Sequence, residues 1–215
     1  MIELDFTAGE IAVAPRAAVP LLLLPLRIDA SPPAVPVENV RLQAQVRIEA
    51  THRDYSPGER EHLAPLFGSA ADWERSLRGL LWTHANLSVP RFAEACTVDL
   101  PLPCSYDFNI AATRYFHGLE HGEVPVSLLF SGSIFFRNED GDLQIAQIAH
   151  HKEASCRMPV RVWQAMMDRY YPDGVWLRLG RELFEALCDY QRRHGCATAD
   201  EALRLLLAAE AEARP

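Results

Sequence analysis

Hydrophobic and polar positions alternate with a period of two through most of the chain up to Met158, and with a helical period beyond Pro159. Strand side chains point to alternate faces and helical ones recur every three to four residues. The change of period therefore predicts a strand-rich region followed by a helical one. The longest alternating stretch is 126–137. Val126, Leu128, Phe130, Gly132, Ile134 and Phe136 fall on one face, and Ser127, Leu129, Ser131, Ser133, Phe135 and Arg137 on the other. That mixed second face predicts a covered or central strand, with Gly132 at a bulge or a close backbone approach. The cleanest alternation sets Val40, Leu42, Ala44, Val46, Ile48 and Ala50 against Arg41, Gln43, Gln45, Arg47 and Glu49. One face meets a core and the other meets water or a partner.

Further strands are predicted at Ile2–Thr7, Trp82–Val89 and Cys96–Leu100, with a bend at Pro101 and Pro103, and Val19–Ile28 is a buried strand or extended segment. Cys104, Tyr106, Phe108, Ile110 and Ala112 read as another inward face. The turn sequence Asn138–Asp142 sends Leu143–Ala149 back antiparallel beside 126–137. Ser56-Pro57-Gly58-Glu59 is a capping box with proline at the first helical position, opening a helix that ends before Pro65. A second short helix follows Ser69, with Trp73, Leu77 and Leu80 or Leu81 on its apolar stripe. Trp163, Met166, Met167 and Tyr170 mark a helix stopped at Pro172. Leu183, Phe184 and Leu187 mark the next, ended by Gly195. Thr198 and Glu201 open a last helix, with Leu203, Leu206 and Leu207 inward.

The fold class expected is α+β: a mainly antiparallel sheet of about six or seven strands, a short helical insertion, and C-terminal helices packed on one face. Residues 1–158 form the sheet region, with the insertion near 57–80. Residues 159–215 form the helical region of the same domain.

An apolar content of 49% is enough to bury a full core. A net charge of −8 argues against a nucleic-acid or anionic-membrane partner, which calls for a basic face. Five irregularly spaced cysteines without a CxxC pair read as reduced thiols. Val19–Ile28 is about half the roughly 20 residues of a spanning helix. It holds Pro20 and Pro25, and it follows Glu3, Asp5 and Glu10 where a signal peptide is basic. The chain is expected in the cytoplasm, without membrane insertion.

Candidate chemistry is sparse. His117-Gly118-Leu119-Glu120-His121 fits the inverted zinc-peptidase pattern HxxEH, which needs both histidines on one helical face and a third ligand. Gly118 and Gly122 oppose such a helix, and a polar turn is the plainer reading. His150, His151 and Cys156 offer further ligands, although adjacent histidines on a strand point to opposite sides. Leu129 stands where a nucleophile elbow has glycine, and neither GxGxxG nor a Walker A motif occurs, so no cofactor is expected. The polar strand face of Arg41, Gln43, Gln45 and Arg47, with Asp107, is either an interaction surface or an ordinary solvated face.

Six segments taken together resemble an uncharacterised bacterial family whose members are often encoded beside nickel-iron hydrogenase genes. They are Gln45–Glu49, Leu66–Gly68, Leu81–His84, Leu100–Asp107, Leu128–Ser133 and Met158–Trp163. The absence of a catalytic set and the regular polar strand faces point to a non-catalytic protein that binds a protein partner. The resemblance implies an accessory role in hydrogenase assembly or protection, with a hydrogenase subunit or maturation factor as that partner. Homo-oligomerisation is compatible with it. The alternative is a metal-handling protein or metalloenzyme using His117, Glu120, His121, His150, His151 and Cys156.

Overall fold

The structure, a computed structural model, describes residues 2–32, 35–69, 73–104, 110–138, 140–172, 174 and 179–213. The fold is α+β, and its strands form two antiparallel sheets. In chain order they are β1 (Glu3–Ala8), β2 (Ala12–Val13), β3 (Leu21–Ser31), β4 (Val37–Ile48), β5 (Leu80–Val89), β6 (Ala95–Pro103), β7 (Glu123–Arg137), β8 (Leu143–Gln147) and β9 (Glu153–Pro159).

The first sheet is built on β3, the apolar run 21–31. β6 pairs one side of it, and β1 and β2 succeed each other along the other side. Ala8 pairs with Leu26 but Ala12 pairs with Leu23, so the chain between carries one extra residue and makes a bulge. Prolines sit in this sheet without breaking it. Gly9 N–H donates to Pro25 O and Ala14 N–H to Leu21 O, so odd-numbered residues of β3 turn their backbone groups toward β1 and β2. Pro25 meets the bulge there. Pro101 and Pro103, paired with Leu23 and Leu21, direct their missing N–H positions away from β3. The bend expected at these prolines is therefore the end of a straight edge strand.

The second sheet runs β5–β4–β7, and β8 and β9 divide the far edge of β7 between them. β8 pairs with Ser133–Arg137 and β9 with Glu123–Leu129. Gly132 adopts φ +139, and a Cβ there would collide with the carbonyl oxygen of Arg41, which accounts for glycine in the middle of this strand.

The inner face of the second sheet carries Val40, Leu42, Ala44, Val46 and Ile48 of β4 and Val124, Val126, Leu128, Phe130 and Ile134 of β7, all buried. The sequence assigns its cover to the C-terminal helices. On this face Phe130 meets the first sheet, Phe6 of β1 stacking on it with ring centroids 4.2 Å apart. Helices close one end. Trp163, on α5 (Val160–Tyr170), stacks on Phe116, which lies edge-on to Trp82 of β5.

The helical insertion comprises α1 (Pro57–His62), α2 (Ala64–Phe67) and α3 (Trp73–Ser76). The strand expected over 104–112 is corrected at its end, where α4 spans Ile110–His117, while Tyr106, Asp107 and Phe108 lie outside the described residues. Ala112, Tyr115, Phe116 and Leu119 are buried at helical spacing.

The chain divides into two compact units, Met1–Asp173 and Gly174–Pro215. The second contains α6 (Arg181–His194), ended by Gly195 in the left-handed conformation, and α7 (Ala199–Ala213). Thr198 Oγ1 accepts from Glu201 N–H as the sequence predicts. Leu206 and Leu207, expected inward, are exposed, and Ala202 is buried in their stead. A helix with a single helical neighbour has only a narrow covered stripe. Among the described residues no helix is long and apolar enough to cross a membrane.

Candidate functional site

The outer face of the second sheet collects the polar positions of β4 and of its neighbours. Antiparallel register sets Arg41 between Ser88 and Ser133, Gln43 between Asn86 and Ser131, Gln45 between His84 and Leu129, and Arg47 between Leu81 and Ser127. Two shallow grooves lie on this face. One of about 710 Å³ is lined by Arg41, Gln43, Asn86, Ser88, Ser131 and Gln147. The other, of about 930 Å³, is lined by Arg47, Glu49, Ser127, Leu129, Glu153 and Arg157. The strand register thus brings Arg41, Gln43, Gln45 and Arg47 together in one row, whereas Asp107 lies outside the described residues.

Charge on this face is unevenly compensated. Arg47 Nε lies 3.9 Å from Glu49 Oε1, and the same oxygen accepts a 2.5 Å hydrogen bond from Ser127 Oγ. Arg41 and Arg157 have no ion-pair partner among the described residues. Both guanidinium groups lie on the polar outer face, Arg41 between serines and Arg157 in the groove that also holds Glu49 and Glu153.

The metal candidates are differently placed. His117 ends α4, with its ring edge-on to Trp163 at 4.8 Å, and burial lowers its pKa. The chain leaves the helix there, so His117 and His121 do not share a helical face. His121 is exposed, with Nδ1 4.0 Å from Glu120 Oε2. His150 and His151 occupy the turn between β8 and β9, their rings 5.8 Å apart. Cys156 points inward from β9, and burial pushes its thiol pKa up to about 11. Among the described residues no three His, Cys, Asp or Glu side chains gather as a metal-holding group.

A buried polar cluster beside this sheet is not foreseen in the sequence. Glu59 completes the capping box as expected, accepting from Ser56 N–H at 3.0 Å while Ser56 Oγ accepts from Glu59 N–H at 3.1 Å. It also accepts from Arg53 Nη2 at 2.9 Å and from the backbone N–H of Glu120 at 3.1 Å. Burial pulls the Glu59 pKa upward, but these donors and the Arg53 charge outweigh it and hold the carboxyl below its ordinary range. Beneath lie the Tyr55 and Tyr115 hydroxyls, 2.7 Å apart, with Tyr55 donating to Ala50 O; burial raises both pKa values. The cluster ties the insertion, α4 and the turn before β7 into one piece. Only the S-P-G-E cap is a sequence signal for any of it.

Compared with known proteins, residues 1–215 match the model of a family described as a family of unknown function, DUF6084. No curated protein matches the chain.

Proposed function

We propose that this chain, which belongs to that family of unknown function, is a non-catalytic accessory protein that binds a protein partner on the outer face of its second sheet. The observation that carries this reading is the row Arg41, Gln43, Gln45 and Arg47, flanked by serine, asparagine and histidine side chains and the exposed Leu81 and Leu129, and opening into two shallow grooves. Such a surface offers many hydrogen-bond donors and acceptors across several strands and no deep enclosure, which suits a polypeptide better than a small molecule. The uncompensated Arg41 and Arg157 favour an acidic patch on the partner. The resemblance noted in the sequence makes a hydrogenase subunit or maturation factor the partner to seek first, in the cytoplasm.

The test is affinity purification of the tagged protein from its native host, beside an Arg41→Glu/Arg47→Glu variant. The wild type is expected to retain a hydrogenase subunit or maturation factor, and the variant to lose at least about tenfold of it with unchanged circular dichroism. Repeated recovery of the protein alone, or equal recovery by both forms, overturns the proposal.

A further inference from the structure

Sheet edges carry unpaired backbone groups, and folded proteins guard them with prolines, charges, bulges or covering elements. Three edges here are guarded. Pro101 and Pro103 remove donors from the side of β6 that faces away from β3. β1 carries Glu3 and Asp5, both ion-paired to Lys152 at 3.5 and 2.8 Å. β5 lies against β6 and α4.

β8 has none of these devices. Its sequence, Leu-Gln-Ile-Ala-Gln, contains no charge and no proline, and Leu143 and Ile145 are 55% and 61% exposed. The direction of its free groups follows from the ladder. Ile148 N–H donates to Gly132 O at 2.9 Å, and Asn138 N–H to Asp142 O at 3.0 Å. Even-numbered residues of this stretch therefore turn their backbone groups toward β7. The N–H and C=O of Leu143, Ile145 and Gln147 point to the open edge, where they have no partner among the described residues.

We propose that β8 is a self-pairing edge, joined antiparallel by β8 of a second copy of this chain about a two-fold axis through Ile145. In that register Ile145 faces Ile145 of the second copy, and Leu143 faces Gln147 on either side. These are the three residues whose backbone groups are free, so each facing pair exchanges N–H and C=O in both directions. Their side chains all lie on the outer face, Gln144 and Ala146 lie on the inner one, and no like charges meet across the axis. Continued outward, the same register sets Asp142 of one copy level with Ile148 of the other and Asp140 level with His150, so the acidic turn residues do not meet one another across the axis. This self-complementarity favours a second copy over an unrelated strand. Five paired residues fall short of the roughly 1,200 Å² of a stable interface, so the dimer is concentration-dependent. It joins two outer faces into one continuous sheet surface.

Sedimentation velocity on the full chain, from micromolar to millimolar concentration, is expected to show a dimer fraction that grows with concentration. Ile145→Lys places like charges face to face and should move the midpoint up by at least about tenfold. Ile145→Pro removes an N–H that β7 does not use, and should do the same while leaving the β7–β8 pairing intact. Amide exchange gives the specific signature: Leu143, Ile145 and Gln147 gain protection as concentration rises, whereas Gln144 and Ala146 are protected throughout. A chain that stays monomeric, including one whose β8 takes up a strand of another protein instead, overturns the proposal. So does a dimer that survives both variants or leaves the odd-numbered amides unprotected.

Discussion

Glu59 shows how much a single side chain holds in this molecule. It caps α1, pairs with Arg53 and receives the Glu120 amide, with only 2% of its side chain exposed. Its carboxyl is held below the ordinary value of 4.5 in the folded chain. A carboxylate with a depressed folded pKa contributes stability that is present above its unfolded pKa and lost as pH falls through the folded one. Glu59→Gln leaves the buried Arg53 charge unpaired and should cost about 3–5 kcal/mol at neutral pH. Denaturant unfolding of both forms across a pH series is the check. The gap between them should narrow below pH 4.5 as the wild-type carboxylate takes up its proton. A gap of constant size down to pH 2 would assign the loss to packing alone.

Among the elements, β7 and β4 carry the sharpest contrast between faces. Phe130 is 2% exposed and stacked on Phe6, while Gln45 points outward from β4. Truncating a packed phenylalanine costs roughly 3–5 kcal/mol, against a total of about 5–15 kcal/mol for a typical domain. Phe130→Ala should therefore consume a large part of the stability and Gln45→Ala little, as chemical denaturation will measure; comparable losses would mean that the outer face is covered. This contrast was legible because period-two alternation assigns a face to every residue of a strand. The same alternation does not say which strand lies opposite, so nothing in 126–137 announced that Phe130 meets Phe6 in another sheet. Residues 104–112 misled for a related reason. Their odd–even pattern satisfied a strand, while Ala112, Tyr115, Phe116 and Leu119 already carried the helical spacing that the structure uses. The row Arg41, Gln43, Gln45 and Arg47 could be read from one strand. Its neighbours Ser133, Asn86 and Arg157 could not, since they arrive by registers that local sequence does not encode.

At the scale of the whole molecule, the sequence foretold antiparallel strands followed by helices, but not their partition into two sheets whose edges meet twice in different ways. On one side the chain itself passes from β5 to β6 through residues 90–94, and Ala30 N–H donates to Glu94 O at the corner. On the other, β1 lies beside β9, and Lys152 spans the gap to Glu3 and Asp5, whose side chains are mostly exposed. The sandwich thus has a covalent spine and an ionic clasp, and so a preferred direction of opening. Between about 0.1 M and about 1 M salt the screening length shrinks from about 10 Å to about 3 Å, which weakens the clasp and leaves the spine untouched. Native-state amide exchange should therefore quicken with salt along β1 and β9 while β5 and β6 keep their rates. Equal acceleration on both sides would mean that Lys152 does not fasten the sheets. For the unit that holds the two sheets, ionic strength is then a handle on which edge breathes.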